Sequence, residues 1–279
     1  MICGLSVMAT MAIGIELAQA QEPTEVDGQI DSDSPSVELI LGVGLAQLGS
    51  RDAKGSPLAY RGSGVPPVLR GRWMGQRWSA GVGASTLVTG FNASPLRADR
   101  AQGADDIHRA DPVFVDLAIW AQRIQVSSAP FEIAVGAQLS HWTFFRSYEY
   151  NPSQIGGVET WDGTLTADGR AQMSVAHGRW AGHVSGSFAL AGRMMRPSHS
   201  IRGDERLALI RERRRIWTSG QWATLARLQK LQVDAQVRFD FTTRMGAVAG
   251  YRLGLMSFHD DQPTRAFYQQ GMVGLALSF

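Results

Sequence analysis

Between Val37 and Phe279 apolar and polar positions alternate with a period of two, the spacing at which successive side chains of an extended strand face opposite ways. Val37, Leu39, Leu41, Val43 and Leu45 share one face, opposed by Glu38, Gly42, Gly44 and Ala46, with Ile40 the exception. Trp78, Ala80, Val82, Ala84 and Val88 repeat the pattern, as do Val113, Val115, Leu117, Ile119 and Ala121. Further runs start at Phe131, Leu165 and Trp180. The clearest covers 231–241, where Leu231, Val233, Ala235, Val237, Phe239 and Phe241 alternate with Gln232, Asp234, Gln236, Arg238 and Asp240.

The connections decide what such strands build. Short ones fall near 75–77, 123–129, 177–179 and 242–245, and long polar ones near 50–66, 90–112, 146–162, 192–230 and 257–267. Long and short alternate without exception, which predicts ten strands with both termini on the short-turn side. That is the layout of an all-β, antiparallel transmembrane β-barrel, with short periplasmic turns and long extracellular loops. A soluble sandwich has no reason to sort its loops by length. Segment 192–230 leaves the count open. Asp204 and Glu205 open either a helix carrying Leu207, Ile210 and Trp217, or a hairpin of 205–217 and 219–229 that raises the number to twelve. Aromatic residues near strand ends predict two interfacial girdles: Trp73, Trp78, Trp120 and Trp180 at the short turns, and Trp142, Phe144, Phe145, Tyr148 and Tyr150 opposite.

Residues 1–20 form an apolar stretch ending Ala18-Gln19-Ala20, which predicts a signal peptide cleaved before Gln21. The predicted organisation is therefore a signal peptide over 1–20, a periplasmic segment over 21–35 and a barrel over 36–279. Cleavage removes Cys3, the one cysteine of the 279 residues, and leaves an exported chain without thiols. The formal charge of +2 becomes +3 as Glu16 departs, too small to imply a nucleic-acid partner. With 44% hydrophobic and 19% charged residues, disorder is excluded.

The alternation sends charged groups inward: Glu38, Arg70, Arg72, Asp116, Glu132, Asp168, Arg170, His183, Asp234, Arg238, Asp240 and Arg252. In a narrow lumen these form a salt-bridged plug, the favoured reading, or a charged pathway for a small solute. Enzymatic readings are weaker. His183 and Ser185 share a strand face but lack a marked oxyanion site, and Asp106/His108 and His259/Asp260/Asp261 resemble an omptin-like protease in composition alone. No catalytic, cofactor or metal site is assigned, since His177 and His183 lack a carboxylate motif around them. The cluster Arg211, Arg213, Arg214 and Arg215 suits either a solvated helix face or bidentate contact with lipopolysaccharide phosphates.

The stretch Gly55-Ser-Pro-Leu-Ala-Tyr60-Arg-Gly-Ser63-Gly-Val-Pro66-Pro67 resembles the opening hairpin of the MipA/OmpV family, and Tyr251 to Phe279 is similar to its closing one. The last strand, ending on Phe279 with Leu277, Leu275 and Val273 on its face, also resembles the signal that the outer-membrane assembly machinery recognises. The resemblance implies an outer-membrane barrel of a Gram-negative bacterium in contact with lipid and lipopolysaccharide. It further implies a scaffolding role, since the name-giving member is described as linking a lytic transglycosylase to a peptidoglycan synthase.

Overall fold

The computed structural model describes residues 35–52, 56–89, 91–93, 109–128, 130–149, 158–195, 201–202, 220–259 and 263–279. Fourteen strand segments lie among them: β1 Ser36–Asp52, β2 Ser56–Gly64, β3 Pro67–Met74, β4 Trp78–Val88, β5 Phe91–Ala93, β6 Arg109–Ser128, β7 Phe131–Glu149, β8 Val158–His177, β9 Trp180–Met195, β10 Ile201–Arg202, β11 Gln221–Thr224, β12 Leu228–Asp240, β13 Met245–Phe258 and β14 Thr264–Ser278. Every pairing is antiparallel. The order around the wall is β1, β3, β4, β6, β7, β8, β9, β12, β13, β14, and β14 returns to β1, so ten strands close the barrel. Of the predicted alternatives the structure adopts ten: β11 pairs with β9 in line with β12 and prolongs that strand instead of adding another.

Closure uses the two ends of the chain. β1 meets β14 from Glu38–Ser278 to Asp52–Thr264, and Val37 and Phe279 exchange two backbone hydrogen bonds of 2.9 and 3.1 Å. No strand edge is left open along this seam. The outward face follows the alternation: Leu41, Val43, Leu45, Val82, Ile119, Leu139, Val273 and Leu275 are exposed. Such a band is stable only against lipid, and the regular two-fold pattern makes it continuous around the wall.

One short connection is tighter than predicted and the long ones are partly strand. Where a turn is expected at 123–129, β6 continues to Ser128 through a bulge between Ile124 and Val126, and β7 starts at Phe131. At the long-loop end β1 and β2 extend to Asp52 and from Ser56, so most of the predicted loop 50–66 is a hairpin wall. A tilted spanning strand needs about 9–11 residues. β6 and β8 have 20 each, so the wall runs well past the lipid band on that side. Gly178, with φ of 57°, makes the sharp turn between β8 and β9, a conformation that side chains with Cβ rarely adopt.

Candidate functional site

The interior is the candidate site, and it is layered along the barrel axis. Toward the long loops the inward positions are apolar: Leu48, Tyr60, Leu87, Phe114, Trp142, Phe144, Met194, Leu228, Met256, Phe258 and Tyr268 form one buried cluster. Phe114 is its hub, with ring centroids 4.7 Å from Tyr268, 4.8 Å from Phe144 and 5.6 Å from Trp142. Trp142 belongs to β7, yet its indole reaches the opposite wall. A Cβ on Gly254 of β13 would sit 2.5 Å from it. A glycine is what lets the ring cross the lumen.

Below this layer, charges brace the walls. Arg252 on β13 donates across the lumen to Asp116 on β6, and through Nε to its register partner Asp234 at 2.6 Å. Arg70 on β3 donates to Asp234 at 3.1 Å and to Gln236 at 3.2 Å. Trp142 Nε1 completes Asp116 at 3.0 Å, which ties the polar layer to the aromatic one. A second brace centres on Lys230 of β12: its Nζ donates to Ser140 at 2.5 Å and Thr166 at 3.3 Å, lies 3.9 Å from Asp168, and stands 4.8 Å over the Trp142 ring. Ser140 in turn donates to Asp168. Buried charges persist only when paired and hydrogen-bonded in this way.

Toward the short turns the lumen holds a cavity of about 50 Å³. Arg70, Arg72, Trp120, Arg170 and His183 line it. At the rim Arg238 joins Glu38 and Asp240, the latter at 2.5 Å, and donates to Ser278 at 2.9 Å. Arg170 is held by neutral groups only: Gln122 at 3.3 Å, Gln138 at 3.0 Å, Gln172 at 3.3 Å and Ser185 at 2.9 Å. Its guanidinium lies 4.9 Å over the Trp120 ring, and that of Arg72 lies 6.0 Å from the same ring.

The structure thus brings Arg70, Asp116, Asp234 and Arg252 into one chain of contacts. It places Asp168 with Lys230, and Arg238 with Glu38 and Asp240. Glu132 lies half-buried at the inward end of β7, opposite Ser174. His183 also faces inward, but Ser185 accepts from Arg170, and among the described residues no hydrogen bond joins the two. Phe279 is three-quarters exposed at the closing seam. His259 is exposed at the end of β13. Asp106, His108, Asp260, Asp261 and the cluster Arg211, Arg213, Arg214 and Arg215 lie outside the described residues, as does the helix expected from Asp204 to Trp217.

Two expectations are corrected. Trp73, Trp78 and Trp180 do face outward near the short turns, but Trp120 points into the lumen, where it lies over Gly81. Trp142 and Phe144 are likewise fully buried inside instead of forming the second girdle. They fall on the polar parity of their strands; Gly81, the register partner of Trp120 on the neighbouring strand, makes room for that ring, and Gly254 across the lumen makes room for Trp142. The side chains of Phe145, Tyr148 and Tyr150 lie outside the described part. Sequence reasoning missed Lys230, although it extends the 232–240 inward series by one step. A bulge on β9, with Asp168 opposite Ala189 and Ala167 opposite Ala191, also reverses parity and turns Met194 inward, a change that alternation cannot reveal.

No protein-family model and no curated protein matches the sequence. Among solved structures, the chain is similar to the outer membrane protease OmpT from Escherichia coli, with a TM-score of 0.54, 9% identity, and coverage of 94% of this chain and 100% of that one. The outer membrane protein OprG from Pseudomonas aeruginosa matches at a TM-score of 0.38 and 10% identity, over 89% of this chain and 98% of that one. The fold is that of an outer-membrane β-barrel. At these identities the likeness reaches no further than the fold.

Proposed function

We propose that the protein is an outer-membrane barrel with a structural or scaffolding role, in the manner of the MipA/OmpV family that its first and last hairpins resemble. In this reading residues 1–20 are removed on export and 21–35 form a periplasmic lead into β1. The observation that carries it is the obstructed lumen. The aromatic layer around Phe114 and the Arg252–Asp116 brace both cross from wall to wall and obstruct the lumen among the described residues. A barrel closed inside acts through its surfaces: its loops, its rims and its lipid-facing wall.

Three exposed arginines at the long-loop end support contact with the outer leaflet. Arg51 and Arg265 are direct register partners, and Arg61 sits opposite Gly49, two residues from Arg51. Like charges directly opposite one another repel, and phosphates of lipopolysaccharide would relieve that repulsion bidentately. In the same reading Arg211, Arg213, Arg214 and Arg215 add to this contact. Peptidoglycan-remodelling enzymes are the partners that the family resemblance implies.

Purified protein in a planar bilayer tests the closed-lumen reading. The expected outcome is the absence of regular conductance steps, together with cross-linking in cells to a lytic transglycosylase or a peptidoglycan synthase. Stable, ion-selective steps would replace the scaffold with a narrow channel, and turnover of lipid or peptide by the same preparation would replace it with a barrel hydrolase.

A further inference from the structure

Four guanidiniums, those of Arg70, Arg72, Arg170 and Arg252, line the cavity at the short-turn end beside the carboxylates of Glu38 and Asp234. Asp234 is shared by Arg70 and Arg252, and Glu38 is taken by Arg238. That leaves two guanidiniums on the cavity wall, Arg72 and Arg170, with no ion pair among the described residues. Arg170 is surrounded by amide and hydroxyl oxygens and an indole face. Arg72 makes no hydrogen bond to a described residue, and its buried Nε has no acceptor, as is true of Arg70 Nε beside it. Buried guanidinium donors without acceptors are costly unless water or an anion in the cavity accepts from them.

We propose that this cavity is a binding site for a small phosphate-class oxyanion, entering from the short-turn end and held between Arg72 and Arg170. Three features fit that class. Two guanidiniums without a carboxylate in contact can share one oxyanion. The donors of Arg72 and the second edge of Arg70 are unused, and guanidinium forks match tetrahedral oxyanions in bidentate geometry. The cavity is too small for a lipid or a sugar, and the aromatic layer blocks approach from the loops. Trp120 supplies the floor: its ring holds both guanidiniums, and Gly81 makes room for it. The site does not depend on the scaffolding role.

Isothermal titration of the refolded barrel with inorganic phosphate, at constant ionic strength in sodium chloride, tests the assignment. Saturable one-to-one binding is expected, weakened at least about tenfold in Arg72→Gln and partly restored in Arg72→Lys, because each lost charge-assisted hydrogen bond is worth about that factor. Arg72 makes no hydrogen bond to a described residue, so its removal should leave folding intact, read as unchanged heat-modifiable mobility on a gel. Arg193→Gln, at the far end beside Trp222, should bind like the parent. Acetate should bind more weakly than phosphate. A folded parent that takes up no phosphate, equal affinity in Arg72→Gln, or tighter binding of acetate would each overturn the proposal. None of these results bears on conductance or on cross-linking, so the scaffold reading stands or falls separately.

Discussion

Replacing Arg252 by methionine isolates the main cross-lumen brace. In the parent, one guanidinium serves two carboxylates on different strands, Asp116 and Asp234. Without it, Asp234 keeps Arg70 at 3.1 Å and the Gln232 amide at 3.0 Å. Asp116 keeps only the neutral Trp142 N–H at 3.0 Å, at a position with no exposed surface. The stranded charge is therefore that of Asp116. Breaking a buried pair by removing one partner costs about 3–5 kcal/mol, and that is the expected loss for Arg252→Met. Neutralising the stranded group should recover much of it. Arg252→Met/Asp116→Asn should be destabilised by about 1.5–3 kcal/mol, the value of one hydrogen bond to a charged group lost at Asp234. Reversible urea unfolding of the barrel in phospholipid vesicles, followed by tryptophan fluorescence and by heat-modifiable mobility, gives both numbers. A single variant within about 1 kcal/mol of the parent would mean that water already screens the lumen at this depth. A double variant as unstable as the single would mean that Asp116 is not the group left uncompensated.

Val273→Arg, on the outward face opposite Val43 and 61% exposed, should cost about 2–4 kcal/mol in the same assay if it lies near the bilayer midplane, and Gln236→Glu on the inward face, where Arg70 already donates to that side chain, much less; equal losses would refute the facing. Trp142→Ala empties the largest fully buried side chain, with an expected loss of about 3–5 kcal/mol and the appearance of conductance steps where the parent shows none. Cysteine at Arg214 should react with a membrane-impermeant maleimide on intact cells, whereas cysteine at Arg179 should react only after the outer membrane is opened; Arg179 is preferred to Gly178, whose positive φ a cysteine would strain. Intact mass of the membrane-isolated protein should correspond to a chain beginning at Gln21, and an unprocessed N-terminus in the inner membrane would contradict the export scheme.

Period-two alternation determined the barrel before any coordinate was known, because facing is a local property: each strand residue points one way or the other, and lipid demands an apolar row on one side. The sorted loop lengths determined the even strand number for the same reason, since a short turn joins antiparallel neighbours and nothing else. The list of inward charges was legible too, from Arg70 to Arg252. Their partners were not. Asp116 and Arg252, or Arg70 and Asp234, are separated by more than a hundred residues and meet only because the closed wall sets β6 against β13 and β3 against β12. The same closure decided the aromatics. By sequence, Trp120 and Trp78 both stand near a short turn, yet Trp78 faces lipid and Trp120 fills the lumen. Parity assigns the face, but each indole fits inside because a glycine faces it, Gly81 on the neighbouring strand for Trp120 and Gly254 across the lumen for Trp142. Whether an inward charge is paired or left free, as at Arg72 and Arg170, depends on distances across the lumen, which a one-dimensional pattern does not contain.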